Sequence, residues 1–330
     1  MKKKNIYIGI LILILISLIL LFIDKNIYKE YSKNYFYMDT YISIKINSTK
    51  NKKEMDKIFS DIDYIYSSYH KLTSRYDKYD GLVNVYYLNE VLDNDTEVEI
   101  DSRLSDIINI GILYYDKTNS LFNIASGNLT SIWKDFIDKC DVLPSNLDVN
   151  ININDIKLDG NKYTKYNDVK IDLGGISKGY TTEVVGEYLE DNGIHSYIIN
   201  AGGNVKVGKA YNKEYYVVGI TNPLDKNDIY TKVNVNNLSI VTSGDYQRYC
   251  ILNDKRYSHI INPNTLYPGD YMRSVTVISS SSLLADIYST YLYLLPIDKG
   301  LEIVNNIEDI QAIWYVSEDN IVRSDGFDYE

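Results

Sequence analysis

The sequence predicts an α+β domain. Helical stripes and alternating strand-like runs are mixed along the chain, without the regular strand–helix–strand rhythm of a doubly wound sheet. No internal repeat and no low-complexity linker divides the body of the chain. At 330 residues, with 45% hydrophobic and 24% charged positions, the chain is long enough for one sizeable core. One globular unit is therefore expected over residues 37–330, behind a short N-terminal segment of different character.

That segment comes first. Lys2, Lys3 and Lys4 precede an uncharged run from Ile6 to Ile23. Eighteen helical residues span roughly 27 Å, close to the thickness of a bilayer core. The run is longer than a usual signal-peptide apolar region, and Asp24-Lys25-Asn26 has no small-residue cleavage pattern. It contains no cysteine for lipidation. Residues 1–23 therefore read as an uncleaved transmembrane helix, and 24–36 as a stalk. The lysines favour a cytoplasmic N-terminus, a bias weakened by Lys25 and Lys29, so the body is expected on the far side of the cell membrane.

Beyond the stalk, Phe36 to Ile46 alternates and reads as a first strand. Met55, Ile58, Ile62, Ile65 and Tyr69 form a helical stripe, and Leu104, Ile107, Ile108, Ile112 and Tyr115 form another. Between them Ser74 to Asn89 is loop-like and tyrosine-rich. Trp133 lies on a short apolar stretch, and Val142 to Val169 reads as polar connections with short strands. Further strands are expected near Tyr215–Thr221, Leu238–Thr242, Ser258–Ile261, Ser274–Ser279 and Gln311–Val316. Leu283 to Leu295 reads as a third helix.

The most organised stretch runs from Asp172 to Gly203. Two glycine pairs, Gly174-Gly175 and Gly202-Gly203, bracket a helical pattern of Ile176, Tyr180, Val184, Val185, Tyr188 and Leu189. Gly193 sits where a left-handed helix stop belongs. Ile194 to Ile199 then reads as a buried strand. Glycines before a helix let backbone approach a ligand, and the first-turn amides can hold phosphate. An ordinary helix–strand unit with two glycine turns is the competing reading.

Two other clusters stand out. Asp286, Ser289 and Thr290 lie at i, i+3 and i+4 on the third helix, a hard-oxygen set suited to Mg²⁺. The structural alternative is a helix-start carboxylate with two back-bonded hydroxyls. His259 ends a short strand before Asn262-Pro263, while His70 and His195 read as structural or exposed. The ordinary pKa of His259 would let it take a hydroxyl proton at neutral pH. Cys140 and Cys250 have no metal spacing; an outside location would permit a disulfide, which their distant separation in sequence does not establish, and unrelated thiols are the favoured reading. The net charge of −11 argues against a nucleic-acid partner, but not against a phosphate ligand, because a bound divalent metal supplies positive charge locally.

Together, Asp172-Leu-Gly-Gly-Ile-Ser-Lys-Gly-Tyr180, Asn200 to Gly203, Ser243-Gly-Asp-Tyr246, Ser258-His-Ile-Ile-Asn-Pro263, and Ala285-Asp286 with Thr290 resemble the ApbE family in order and spacing. These are FAD:protein FMN transferases. The resemblance runs from about Met38 to the C-terminus and takes in Tyr76, Leu121 to Asn123 and Tyr216 to Ile220. It implies an α+β, T-fold-related single globular domain that uses Mg²⁺ and takes FAD as substrate. FMN is then transferred to a Thr or Ser hydroxyl of an exported or membrane flavoprotein acceptor, and AMP is released. The acceptor site would have a Ser/Asp-Gly-Ala-Thr/Ser character.

By the same resemblance, Met38, Tyr76, Leu121, Phe122, Asn123, Asp172, Lys178 and Ile261 would line the FAD site. Gly175 would offer its carbonyl to the metal beside Asp286, Ser289 and Thr290, and His259 would be the general base. Asn123 and Asn262 stand where Asp is usual, Ser289 replaces another Asp, and Asp39 and Leu266 replace glycines. A Mg²⁺-dependent FAD pyrophosphatase and a non-enzymatic FAD-binding surface protein are the alternative functions.

Overall fold

The structure, a computed structural model, describes residues 7, 8, 14 and 27–327. The expected membrane anchor, residues 1–23, lies outside the described residues apart from three positions. Among the described residues, no helix is long and apolar enough to cross a membrane.

The chain is built on one eight-stranded antiparallel sheet. Its strands are β1 (Lys29–Tyr37), β2 (Thr40–Ser48), β6 (Ser196–Ala201), β7 (Asn204–Val207), β10 (Leu238–Gly244), β13 (Ser274–Ser279), β14 (Gln311–Ser317) and β15 (Asn320–Arg323), side by side in that order. Strand β2 shows the expected alternation: Ile42, Ile44 and Ile46 are buried on one face. Three small sheets complete the strand set. They are β8 (Tyr216–Thr221) with β9 (Ile229–Val235), β11 (Tyr249–Leu252) with β12 (Lys255–Ser258), and β3 (Glu97–Glu99), β5 (Lys162–Lys165) and β4 (Ile156–Asp159) in that spatial order.

Helix α1 (Lys52–Thr73) starts at a capping box, in which the Asn51 side chain accepts from the Glu54 amide and Glu54 accepts from the Asn51 amide. Its stripe of Met55, Ile58, Phe59 and Ile62 packs with Ile42, Ile44 and Ile46 of the sheet and with Val185 and Leu189 of helix α5 (Ser177–Asp191). Helix α5 stops at Gly193, φ +70°, as the sequence predicts. Helices α2 (Val85–Glu90) and α3 (Ser102–Lys117) build a second core, in which Leu88, Leu104, Ile107 and Ile108 pack with Leu173 and Ile176 at the entry to α5, while α4 (Gly127–Lys139) packs Leu129, Trp133 and Phe136 with Cys250, Tyr257 and Ile261. Helix α6 (Ser282–Tyr293), capped by Ser281, packs Ala285, Tyr291 and Leu292 with Val275 and Val277 of β13, and α7 (Ile297–Val304) follows it.

Helices α5 and α6 meet at Gly179. A Cβ there would lie 2.5 Å from Asp286 Cβ and 2.6 Å from the Ser282 carbonyl oxygen, so only glycine permits this approach.

Several expectations are corrected. Residues 29–36, assigned to a stalk, form strand β1. The run read as one strand is a hairpin whose turn residues Met38 and Asp39 both have positive φ, at 53° and 55°. The loop-like stretch after α1 contains α2, and the short apolar stretch around Trp133 is a full helix, α4, because Leu129, Trp133 and Phe136 share one buried face. Strands β9, β11 and β15 and helix α7 carry no sequence signal recognised above.

The two cysteines are not unrelated thiols. Cys140 and Cys250, 110 positions apart, form a disulfide with a Cα–Cα distance of 5.4 Å. It ties the end of α4 to β11. Sequence separation conceals this pair because only the packing of Trp133, Phe136 and Tyr257 brings the two segments together.

The disulfide closes a long loop, so replacing both cysteines by serine should lower unfolding free energy by about 2–5 kcal/mol in urea titrations. A thiol assay on the native oxidised chain should find no reactive thiol. Gly179→Ala should cost about 1–3 kcal/mol by the same titration, because α5 and α6 must separate to admit the methyl group.

Candidate active site

A cleft of about 890 Å³ opens among the β1–β2 turn, the end of β10, helix α4 and helix α6. The β1–β2 turn contributes Met38, and the loop after α1 contributes Arg75 and Tyr76. Leu121, Phe122 and Asn123 come from the segment before α4. The Asp172–Lys178 turn, Arg248 and His259 from the β11–β12 hairpin's flanks, Ile261, and Asp286 and Thr290 of α6 complete the walls. All the sequence-predicted site residues therefore line one cleft, with a single exception.

That exception is Ser289. It is fully buried, and its hydroxyl donates to the Asp286 carbonyl at 2.9 Å and lies 2.9 Å from Ser243 Oγ. This is the back-bonding of a serine inside a helix, and it removes Ser289 from the cleft wall. Of the four residues expected to hold a metal, Gly175, Asp286 and Thr290 line the cleft.

Asp286 is 4% exposed. One carboxylate oxygen accepts from the Gly179 amide at 2.7 Å, a bond that exists because Gly179 lets the helices touch. Burial pushes the Asp286 pKa up, while the Lys178 charge and the Gly179 amide pull it down. A Cβ placed on Gly175 would be 3.2 Å from Thr290 Oγ1, so the glycine turn lies directly against this stretch of α6. Among the described residues no three His, Cys, Asp or Glu side chains cluster as a metal cage. A buried carboxylate with a hydroxyl and a backbone turn beside it fits a hard cation that keeps water and phosphate oxygens in its shell, as Mg²⁺ does. The donor set therefore suits Mg²⁺ held jointly with a phosphorylated ligand, and does not suit a metal held by protein alone.

Asp172 occupies a different environment. Burial alone would raise its pKa, but Arg75, the Thr130 hydroxyl and the Gly174 amide hold it below the ordinary carboxylate range. Thr130 donates to Asp172 Oδ2 at 2.7 Å and the Gly174 amide to Oδ1 at 2.9 Å, and Arg75 forms an ion pair with it. Sequence reasoning did not mark Arg75 or Thr130, since neither belongs to a local motif. Lys178 reaches the Gly174 carbonyl at 3.4 Å.

His259 is exposed to the cleft. Its Nδ1 lies 3.2 Å from the Arg248 carbonyl oxygen, which only accepts, so Nδ1 carries the proton and Nε2 keeps a free lone pair. The protein atoms crowded around the ring, then the Lys178 and Arg248 charges, push its pKa down to about 4. The imidazole is thus a neutral acceptor at pH 7. His70, read as structural, accepts from the Met38 amide at 3.2 Å and so holds the β1–β2 turn. Tyr76 is half-exposed, with Lys134 Nζ 5.6 Å and Arg75 Cζ 5.4 Å from its ring centre.

The departures from the resemblance have local explanations. Asn123 accepts from the Ala125 amide and donates to the Ile151 carbonyl at 2.9 Å, and Asn262 accepts from the Asn264 amide and donates to the Leu294 carbonyl at 3.5 Å. A carboxylate could make only the accepting halves. Asp39 and Leu266, where glycine is usual, both have positive φ, at 55° and 64°.

Comparison with known proteins follows this geometry. The ApbE family pattern matches residues 38–314. The FAD:protein FMN transferase of Buchnera aphidicola subsp. Schizaphis graminum is 32% identical over 283 residues, covering 80% of this chain and 79% of that protein. The FAD:protein FMN transferase of Klebsiella pneumoniae is 32% identical over 216 residues, 62% of this chain, and the match spans 66% of that relative's length. In fold, the chain is similar to the ApbE protein of Thermotoga maritima, with a TM-score of 0.77 over 91% of this chain and 98% of that one, at 24% sequence identity. With the family pattern running from the β1–β2 turn into β14, this chain belongs to the ApbE family.

Proposed function

We propose that this chain is an FAD:protein FMN transferase that uses Mg²⁺, attaches FMN to a Thr or Ser hydroxyl of an exported or membrane flavoprotein, and releases AMP. The observation that carries this reading is one cleft uniting a buried carboxylate, Asp286, with a neutral histidine, His259. Phosphoryl transfer asks chiefly for positioning and charge neutralisation, and these residues supply both.

Tyr76, Met38 and the Leu121–Asn123 segment give the flavin an aromatic and apolar seat. Lys178 brings positive charge toward the diphosphate, offsetting the chain's net charge of −11 at this site. Asp286, Thr290 and the Gly175 carbonyl would hold Mg²⁺, which supplies Lewis-acid neutralisation of the diphosphate when bound. His259 accepts the acceptor hydroxyl's proton at Nε2, while its Nδ1–H on the Arg248 carbonyl fixes the ring. Ile261 packs beside the nucleotide. An acceptor with a Ser/Asp-Gly-Ala-Thr/Ser-like site fits this chemistry. A single-pass anchor over residues 1–23, with the body on the extracytoplasmic side, would place the cleft among such acceptors.

Full-length chain in detergent, given FAD, Mg²⁺ and an acceptor carrying that tetrapeptide, should make the acceptor fluorescent in a denaturing gel. Free FMN and AMP without labelled acceptor would instead assign a pyrophosphatase. Asp286→Ala should reduce transfer by at least about 100-fold, the loss expected when several kcal/mol of metal-derived stabilisation disappears. Wild-type activity in that variant would refute the assignment.

The pH dependence follows from His259. A base works unprotonated, so kcat/KM rises as pH climbs through its pKa and is flat above. Because that pKa is depressed to about 4, the acid limb should be centred near pH 4, and His259→Ala should abolish it. A limb centred at the ordinary histidine value of about 6.5 would contradict a depressed base.

A further inference from the structure

We propose that Arg75 is a positioning residue for this cleft: its buried guanidinium clamps Asp172 to the start of α4 and thereby holds the Gly174–Gly175 turn in place. The inference rests on the transferase reading for its effect on FAD, but its geometric part stands on the apo chain alone.

Arg75 lies just past α1, with a side chain only 9% exposed. Both terminal nitrogens are fully used. Nη1 donates to Thr130 Oγ1 at 2.6 Å and to the Asp172 carboxylate, and Nη2 donates to the Gly127 carbonyl at 2.7 Å and to Ser131 Oγ at 2.5 Å. One side chain therefore joins three segments remote in sequence: the loop after α1, the first turn of α4, and the turn that enters α5. No local sequence pattern predicts such a junction.

The clamp also decides what Asp172 does. Its Oδ2 is committed to Arg75 and Thr130, and its Oδ1 to the Gly174 amide. The carboxylate therefore orients its own turn, although the sequence placed it among the residues lining FAD. The Gly174 amide is the first bond of a turn that leads to Gly175, packed against Thr290, and to Lys178. If the carboxylate lost its orientation, the Gly175 carbonyl and Lys178 would lose their fixed places together. The next residue after Arg75 is Tyr76, so the same anchor sets where that ring meets the cleft.

Arginine is required by the geometry. Its planar fork reaches four acceptors at once, whereas a lysine ammonium has three donors at a single point. Removing the cation altogether would also leave Asp172 as an uncompensated buried charge.

The test uses full-length Arg75→Lys, which retains the charge, and Thr130→Val, which removes only the hydroxyl beside Asp172. Amide hydrogen exchange is measured on the ligand-free chain, and FAD affinity with Mg²⁺ by flavin fluorescence. Arg75→Lys should speed exchange across residues 173–178 by about tenfold or more, leaving β13 protected as in wild type. It should also weaken FAD binding by about tenfold or more, as loss of an outer supporting contact does at metal sites. Thr130→Val should move both quantities the same way by a smaller factor. The clamp is overturned if exchange over 173–178 is unchanged in both variants, or if it rises only together with exchange in β13, the signature of general destabilisation. It is also overturned if exchange rises locally while FAD affinity stays at the wild-type value. If wild-type chain binds no FAD, the transferase reading fails, and the exchange measurement decides the clamp by itself.

Discussion

The site depends on how closely α5 and α6 approach at Gly179. Asp286 is buried in that contact, and a buried carboxylate needs a donor or a cation to offset its desolvation. The Gly179 amide supplies the donor at 2.7 Å. Asp286 also lines the cleft, where, under the proposed function, a divalent ion with phosphate ligands would complete the charge balance. Were the helices a methyl group further apart, the carboxylate would lose its amide and the Gly175 turn would move away from Thr290. One hydrogen-sized side chain thus governs both the packing of the helix pair and the placing of Asp286, Gly175 and Thr290 beside one another.

The eight-stranded sheet provides the rigid platform on which this pair sits. Strands β10 and β13 support α6, and strand β2 packs with α1 and α5, so both helices are seated on the sheet by apolar burial. The opposite walls of the cleft come from loops, and loops need ties. Among them are His70 on the Met38 amide, Arg75 on Asp172, and the Cys140–Cys250 disulfide between α4 and β11. The disulfide is the covalent one, and it lies behind the wall that carries Arg248 and His259.

The substituted positions obey the same logic of local satisfaction. Asn123 and Asn262 replace carboxylates, yet each amide donates to a carbonyl that a carboxylate would repel. Asp39 and Leu266 replace glycines and accept left-handed backbone, which an aspartate tolerates far better than a leucine. Leu266 keeps this conformation with its carbonyl bound by the Trp133 indole at 2.8 Å and its side chain packed at the α4–β12 cluster.

Sequence alone determined the fold class, the main helices and strands, and, through the family resemblance, many of the residues that meet in the cleft. Apolar periodicity, glycine pairs and short motifs are local properties, and those residues are carried by local motifs in a recognisable order. The β1–β2 hairpin was legible only in part, because Met38 and Asp39 are not residues that announce a turn. Tertiary structure alone decided the rest. It paired Cys140 with Cys250, turned Ser289 away from the cleft, and brought Arg75 and Thr130 to Asp172. Each of these is a contact between segments far apart along the chain, or a choice of hydrogen-bond partner made inside a packed helix. Such outcomes depend on which atoms are within about 3 Å after the core has formed, and spacing along a sequence does not contain that distance.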